Sequence, residues 1–217
     1  MTHIRKQHID YTLYLVTDRS VMSAKSLEQA VEQAIQGGCT VVQLREKQVS
    51  SREFFETAQK VKQITDSHHI PLIINDRTDI CLAVNAAGIH VGQQDLPAKV
   101  VRSIVGPDKI IGVSAATLSE AIQAEQDGAD YLGVGAMFAT STKTNTRPVT
   151  IEQLTQIKQA VQIPVVAIGG IQSSNVTTLT NTGIDGIAVV SAILAQENIT
   201  HAAEQLKTYF TGVGHEF

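Results

Sequence analysis

Cysteine is scarce in this 217-residue chain: Cys39 and Cys81 stand far apart, each among apolar neighbours and in no CxxC or metal-type spacing. That argues against a disulfide framework and a thiolate metal centre, and two buried free thiols in a reducing compartment are expected. No apolar run approaches the ~20 residues of a membrane span. The polar stretch Met1 to Asp10 has no signal-peptide core, and a cytoplasmic location is expected. Basic excess is missing too. With 17 Lys and Arg against 21 Asp and Glu, the formal net charge is −4, so neither nucleic acid nor a membrane is an expected partner and any anion site must be local. No G-x-G-x-x-G follows the first apolar run, and no Ser/His/Asp or Cys/His set is apparent.

What the chain does have is a regular alternation. Short apolar runs read as strands at Leu13 to Val16, Thr40 to Leu44, Pro71 to Ile74, Ile89 to Val91, Ile110 to Val113, Tyr131 to Val134, Val165 to Ile168 and Ile187 to Val190. They lack polar alternation, as strands covered on both faces do. Between them the apolar spacing predicts helices at Ser26 to Gln36, Ser51 to Ser67, Ile80 to Val84, Pro97 to Val105, Leu118 to Gln126, Ile151 to Ala160 and Ser174 to Thr182. A short one is expected at Ala192 to Ala195 and a last one at Thr200 to Phe210.

The entries to the strands repeat. Gly38-Cys39-Thr40-Val41, Gly128-Ala129-Asp130-Tyr131 and Gly183-Ile184-Asp185-Gly186 are alike, while Ile70-Pro71-Leu72-Ile73 matches Ile163-Pro164-Val165-Val166. Eight β/α units in paired quarters predict an α/β fold, the (β/α)8 TIM barrel, as one domain over residues 1–217 with a polar N-terminal extension of about 1–11. A doubly wound open sheet is the alternative.

In either architecture the residues just past the strands share one ligand-binding end. Gln43, Arg45 and Lys47 follow the second strand at alternate positions, a spacing that grips one polyanion if the chain stays extended and an ordinary solvated turn if it does not. Asn75-Asp76 and Asp95 put carboxylates after neighbouring strands, which suits Mg2+, or else they are helix N-caps. Ser114 ends the fifth strand. Thr140-Ser141-Thr142-Lys143 forms a hydroxyl-rich loop able to close over phosphate. Gly169-Gly170 and Val190-Ser191 offer backbone N–H groups to a monophosphate, the glycines alternatively making only a tight turn. His90 reads as a hydrogen-bonded core residue.

At these residues the sequence resembles the thiamine phosphate synthase family. The resemblance runs from Tyr14-Leu15-Val16-Thr17-Asp18 through Gln43-Leu44-Arg45-Glu46-Lys47, Asn75-Asp76-Arg77, His90-Val91-Gly92-Gln93-Gln94-Asp95 and Thr140-Ser141-Thr142-Lys143 to Ala167-Ile168-Gly169-Gly170-Ile171. It implies an enzyme that joins a pyrimidine diphosphate to a thiazole monophosphate, giving thiamine monophosphate and diphosphate. By motif, Gln43, Arg45, Lys47, Asn75, Ser114 and Lys143 would bind the pyrimidine diphosphate, with Arg45, Lys47, Lys143 and Ser114 in catalytic roles. Asp76 and Asp95 would hold Mg2+; Thr140, Thr142, Gly170, Val190 and Ser191 would serve the thiazole phosphate, and Ser141 would be substrate-binding. Ala116 stands where the family often has histidine. The expected partners are these small molecules, and a homo-oligomer is compatible with the sequence. A barrel isomerase would need no diphosphate metal site, and a non-catalytic ligand sensor would need no leaving-group cations.

Overall fold

Strands with apolar side chains on both faces need cover on both sides, and closure supplies it. Leu13–Val16 (β1), Val41–Leu44 (β2), Leu72–Asn75 (β3), Gly88–Val91 (β4), Ile110–Ala115 (β5), Tyr131–Val134 (β6), Val165–Ile168 (β7) and Gly186–Val189 (β8) pair in parallel, in sequence order, and β8 returns to β1. The computed structural model describes residues 9–24, 26–140 and 147–212. The architecture is the expected (β/α)8 barrel, not the open sheet.

The two-residue period of a strand sorts side chains into two layers. Leu13 and Leu15 of β1 face out, into a core shared with Leu27, Phe54, Val101, Leu154 and Leu206 of the surrounding helices. Tyr14 and Val16 face in, packing with Val41, Ile73, Ile110, Tyr131, Val166 and Ala188. Tyr11 joins that inner cluster, its ring centroid 4.8 Å from that of Tyr131. The barrel is therefore filled, with aromatic rings at its centre.

The helices are Leu27–Gln36 (α1), Ser51–Ser67 (α2), Thr78–Ala83 (α3), Ala98–Val105 (α4), Leu118–Gln126 (α5), Ile151–Ala160 (α6), Ser191–Leu194 (α7) and Ile199–Thr211 (α8). Ser50 starts α2 with a full capping box to Glu53, and Thr150 starts α6 with one to Gln153, each cap contributing about 1 kcal/mol. Phe54 on the inner face of α2 is 1% exposed; its truncation to alanine would cost about 3–5 kcal/mol. Among the described residues no helix is long and apolar enough to cross a membrane. Cys39 and Cys81 are free and buried, and burial pushes the Cys39 thiol up to about 12.

One expected helix takes another form. The segment Val176–Thr182 is a 3₁₀ helix, because Thr178, Thr180 and Thr182 each turn the side-chain hydroxyl onto the carbonyl three residues back. Such bonds compete with α-helical pairing, and β-branched residues are weak helix formers. The helix expected from Ile80 begins at Thr78.

Candidate active site

Apart from Gln43 and Ser114, which lie within β2 and β5, the candidate residues among the described ones fall at the carboxyl ends of the barrel strands or just beyond them, as parallel topology requires. Past β2 the backbone leaves the sheet at Leu44, and the two cations separate. Arg45 turns toward the β1 loop: its guanidinium lies 2.9 Å from Asp18 Oδ2, and its backbone N–H donates to the buried Thr17 hydroxyl at 3.0 Å. Lys47 turns the other way and pairs with the Asp76 carboxylate at the end of β3. They therefore flank the strand end, Arg45 held by a part-buried ion pair and Lys47 half exposed.

Neither aspartate is a helix cap. Helix α3 begins at an Arg77 N-cap and α4 at a Pro97 N-cap, both without a capping side chain. Asp76 instead sits in the left-handed region, φ 60°, its N–H donating to the His90 carbonyl at 2.9 Å; outside glycine that conformation is uncommon and favours Asp and Asn. Asp95 Oδ2 accepts the Gly92 N–H at 2.7 Å, folding the β4 loop back over the strand end. Burial pushes the Asp95 carboxyl above the ordinary aspartate range, and the adjacent Asp76 carboxylate adds to it, while the Gly92 N–H and Lys47 pull it down. Two carboxylates from neighbouring strands thus meet beside one lysine.

Gln43 and Ser114 project into the barrel interior from β2 and β5. Gln43 is 4% exposed and donates through Nε2 to the Tyr14 hydroxyl at 2.9 Å. Ser114, inside β5 and not at its end, has Oγ 2.9 Å from His90 Nε2. Gln93 Nε2 donates to the Ser114 carbonyl at 2.8 Å, tying the β4 loop to β5. Asn75 ends β3 opposite His90 in the β3–β4 register. His90 is the hydrogen-bonded interior residue expected.

On the far side of the mouth the β6 loop lies against β7. Met137 and Phe138 donate their N–H groups to Ile168 and Gly169 carbonyls at 3.0 Å each. Gly170 has φ 64°, and a Cβ there would fall 2.4 Å from the Ala139 carbonyl oxygen, so only glycine permits this approach. Thr140 is thereby brought beside Gly170. Gly170 follows the end of β7, whose Ile168 pairs with Ala188 of β8, and Val190 follows β8 and precedes Ser191 at the start of α7. A groove of about 800 Å³ runs outward from Ser191 between Gln172, Ser174 and α8. Ser141, Thr142 and Lys143 lie outside the described residues. The stem of their loop is pinned by Ala136 N–H to the Arg147 carbonyl and Val149 N–H to the Ala136 carbonyl, 2.9 Å each. Arg147 forks onto Glu120 at 2.7 and 2.8 Å. Ala116 is buried, its N–H on Glu120 at 2.8 Å.

Sequence reasoning missed Asp18, which anchors Arg45, and the tyrosines Tyr14 and Tyr131. Their signal was faint: a phenol in the middle of an apolar strand, where a buried hydroxyl needs a partner.

Comparison with known proteins agrees with this geometry. The family model described as thiamine monophosphate synthase matches residues 13–193. The thiamine-phosphate synthase of Ruminiclostridium cellulolyticum is 62% identical over 205 residues, 94% of this chain and 98% of that relative. The one from Clostridium beijerinckii is 57% identical with the same coverage. Among solved structures, a thiamine phosphate pyrophosphorylase from Pyrococcus furiosus superposes with a TM-score of 0.87 at 38% identity, covering 95% of this chain and 98% of that one. With the fold, the mouth and these relatives in agreement, the chain belongs to the thiamine monophosphate synthase family.

Proposed function

We propose that the chain joins 4-amino-2-methyl-5-(diphosphooxymethyl)pyrimidine to 4-methyl-5-(2-phosphooxyethyl)thiazole, releasing diphosphate and thiamine monophosphate by a Mg2+-assisted, dissociative displacement. The observation that carries the reading is the meeting of Lys47, Asp76 and Asp95 beside Arg45 in one mouth. A tautomerase or phosphosugar isomerase has no use for paired carboxylates next to leaving-group cations.

The donor set fits the metal. Mg2+ takes one or two protein carboxylates and completes its shell with water and phosphate oxygens. Asp76 and Asp95, adjacent at the ends of neighbouring strands and beside Lys47, offer two such carboxylates. When bound at Asp76 and Asp95, Mg2+ supplies charge neutralisation to the leaving diphosphate.

The rest falls to the chain's own groups. The methylene C–O bond breaks with its electron pair leaving on diphosphate, and the thiazole nitrogen, which carries no proton, forms the new C–N bond. No general base is needed, so Asp76 and Asp95 are left to the metal and no Ser/His/Asp set is required. Arg45 and Lys47 neutralise the departing charge, joined by Lys143 on motif grounds. Gln43, Asn75 and Ser114 orient the pyrimidine, whose amino group donates electrons to the developing cation. Thr140, Thr142, Gly170, Val190 and Ser191 hold the thiazole phosphate, and Ser141 is substrate-binding. The working unit is one barrel domain over residues 1–217, acting in the cytoplasm on small molecules.

Incubation of purified protein with both substrates, with and without Mg2+, tests the assignment: metal-dependent thiamine monophosphate is expected, and its absence rejects it. Single-turnover rates of Lys143→Ala test the leaving-group role. An unchanged chemical step with weaker substrate binding alone would remove that role.

A further inference from the structure

A chain of side-chain hydrogen bonds crosses the barrel interior beneath the mouth. Gln43 Nε2 meets the Tyr14 hydroxyl at 2.9 Å, and Tyr14 meets the Tyr131 hydroxyl at 2.7 Å. Tyr131 meets His90 Nδ1 at 2.9 Å, and His90 Nε2 meets Ser114 Oγ at 2.9 Å. The five side chains come from β2, β1, β6, β4 and β5, and none of the first four is more than 9% exposed. The two end members are the residues assigned to the pyrimidine; the three in between are assigned nothing.

Such a chain has a direction. Burial pushes both phenols well above their ordinary range, so each keeps one hydrogen and can donate only once. The Gln43 amide nitrogen donates to Tyr14, so Tyr14 must donate to Tyr131, and Tyr131 to His90 Nδ1. His90 then carries its hydrogen on Nε2 and donates to Ser114 Oγ. A reversal at one link would leave a tyrosine accepting from both neighbours with its own hydrogen unpaired, or two lone pairs facing each other, in a buried site, and that cost favours one polarity throughout, this one or the opposite one. In this polarity Gln43 keeps its carbonyl Oε1 for the site, and Ser114 keeps its hydroxyl hydrogen for it.

We propose that Tyr14, Tyr131 and His90 are positioning residues that lock the polarity of this chain, so that the site offers an acceptor at Gln43 and a donor at Ser114 and thereby selects an aminopyrimidine over its oxo analogue. A 4-aminopyrimidine presents an N–H donor and an unprotonated ring nitrogen, the complement of that pair. A 4-oxopyrimidine presents a carbonyl beside an N–H, the reverse. Rejecting it requires the whole chain to invert or leaves buried groups unmatched, the situation in which polar sites discriminate most strongly. This rests on the reading that the pyrimidine binds between Gln43 and Ser114.

The tautomer of His90 tests the lock without substrate, so its outcome is separable from that of the assigned activity. Nitrogen-15 shifts of the His90 ring are expected to show hydrogen on Nε2 in the native protein. Gln43→Glu places an acceptor-only carboxylate on Tyr14, and the hydrogen on His90 is expected to move to Nδ1, three links away. Should that variant fail to fold, Tyr14→Phe cuts the chain and frees both polarities, and a mixture of the two tautomers is expected. With substrates, Tyr14→Phe and Tyr131→Phe are expected to lower the amino-over-oxo ratio of kcat/KM at least tenfold, the KM of the thiazole phosphate being unmoved. An Nδ1 hydrogen in the native protein, a tautomer indifferent to both Gln43→Glu and Tyr14→Phe, or an undiminished ratio would overturn the proposal.

Discussion

Gly112→Ala is expected to be among the most damaging single-methyl additions to this barrel. Gly112 lies in β5 between His90 of β4 and Tyr131 of β6. A Cβ on it would fall 2.1 Å from Tyr131 Cζ and 2.4 Å from both Cε1 and the hydroxyl oxygen. The ring cannot swing aside. It is fully buried, its hydroxyl is held at 2.7 Å by Tyr14 and 2.9 Å by His90, and the Tyr11 and Tyr14 rings stand 4.8 and 5.9 Å away. Overpacking a filled core costs about 1–3 kcal/mol, and displacing the hydroxyl weakens two buried hydrogen bonds at about 1 kcal/mol each. A total of about 3–5 kcal/mol follows. For a chain of this size each kcal/mol lowers Tm by about 2–4 °C, so calorimetry should register a drop of roughly 10 °C. Tyr131→Leu vacates the position that the new methyl would occupy. In that background Gly112→Ala is expected to cost under about 1 kcal/mol, a coupling of at least about 2 kcal/mol in the double-mutant cycle. Equal costs in the two backgrounds, or a cost below about 0.5 kcal/mol in the native one, would refute the picture of a barrel packed around the Tyr131 ring.

Asp95→Asn removes one of the two carboxylates beside Lys47; on the proposed metal site, added Mg2+ should raise the Tm of the native protein and not of the variant, and Mg2+-dependent turnover should fall by about 10²-fold, read by thermal shift and by steady-state rates. Asp18→Asn keeps the acceptor that caps Ser20 but loses the charge that holds Arg45 at 2.9 Å, so KM for the pyrimidine diphosphate should rise roughly tenfold with Tm altered by less than about 2 °C. The Arg147 guanidinium holds the Glu120 carboxyl below its usual 4.5, against a smaller opposing effect of burial and with help from the Ala116 N–H. A carboxyl lowered by folding stabilises above its unfolded value and loses that contribution as pH falls through the folded one. Native protein should therefore exceed Glu120→Gln by about 0.5–1 kcal/mol at pH 7, a modest figure because Arg147 is 55% exposed. The gap should shrink as pH falls below 4.5; a gap constant with pH would show that the carboxylate charge is not its source.

Much of the fold was written in local pattern. The eight strands were visible because each is an apolar run bounded by glycine, proline or a polar end, and both its faces are buried. Helices α1, α5 and α6 stand where the spacing put them because Ser26, Thr117 and Thr150 cap them through the side chain. The segment after β7 resisted for a reason that apolar spacing does not carry. Val176 and Leu179 sit three apart and suit either helix type, and the choice was made by threonine hydroxyls reaching back to their own backbone. Tyr11 was likewise counted with a polar leading stretch, yet its ring packs on Tyr131 within the barrel.

The site divides along a similar line. The charged candidates lie in the loops just past strands, where chain order alone places them at one end, so Arg45, Lys47, Asp76 and Asp95 were legible as a set. What each of them leans on was not. Arg45 is held by Asp18, 27 residues earlier, and Lys47 by Asp76, 29 residues later. The interior chain joins Tyr14 to Tyr131 across 117 residues. No spacing rule reaches that far, because such pairs are made by closure of the barrel and not by the local period. Closure also explains why they matter. A loop cation can find a diphosphate by charge alone, with little need of orientation, whereas telling an amino group from a carbonyl requires a donor and an acceptor held in fixed directions. In this fold the place stiff enough to fix a direction is the packed interior, where an amide on β2 and a hydroxyl on β5 are tied through two tyrosines and a histidine.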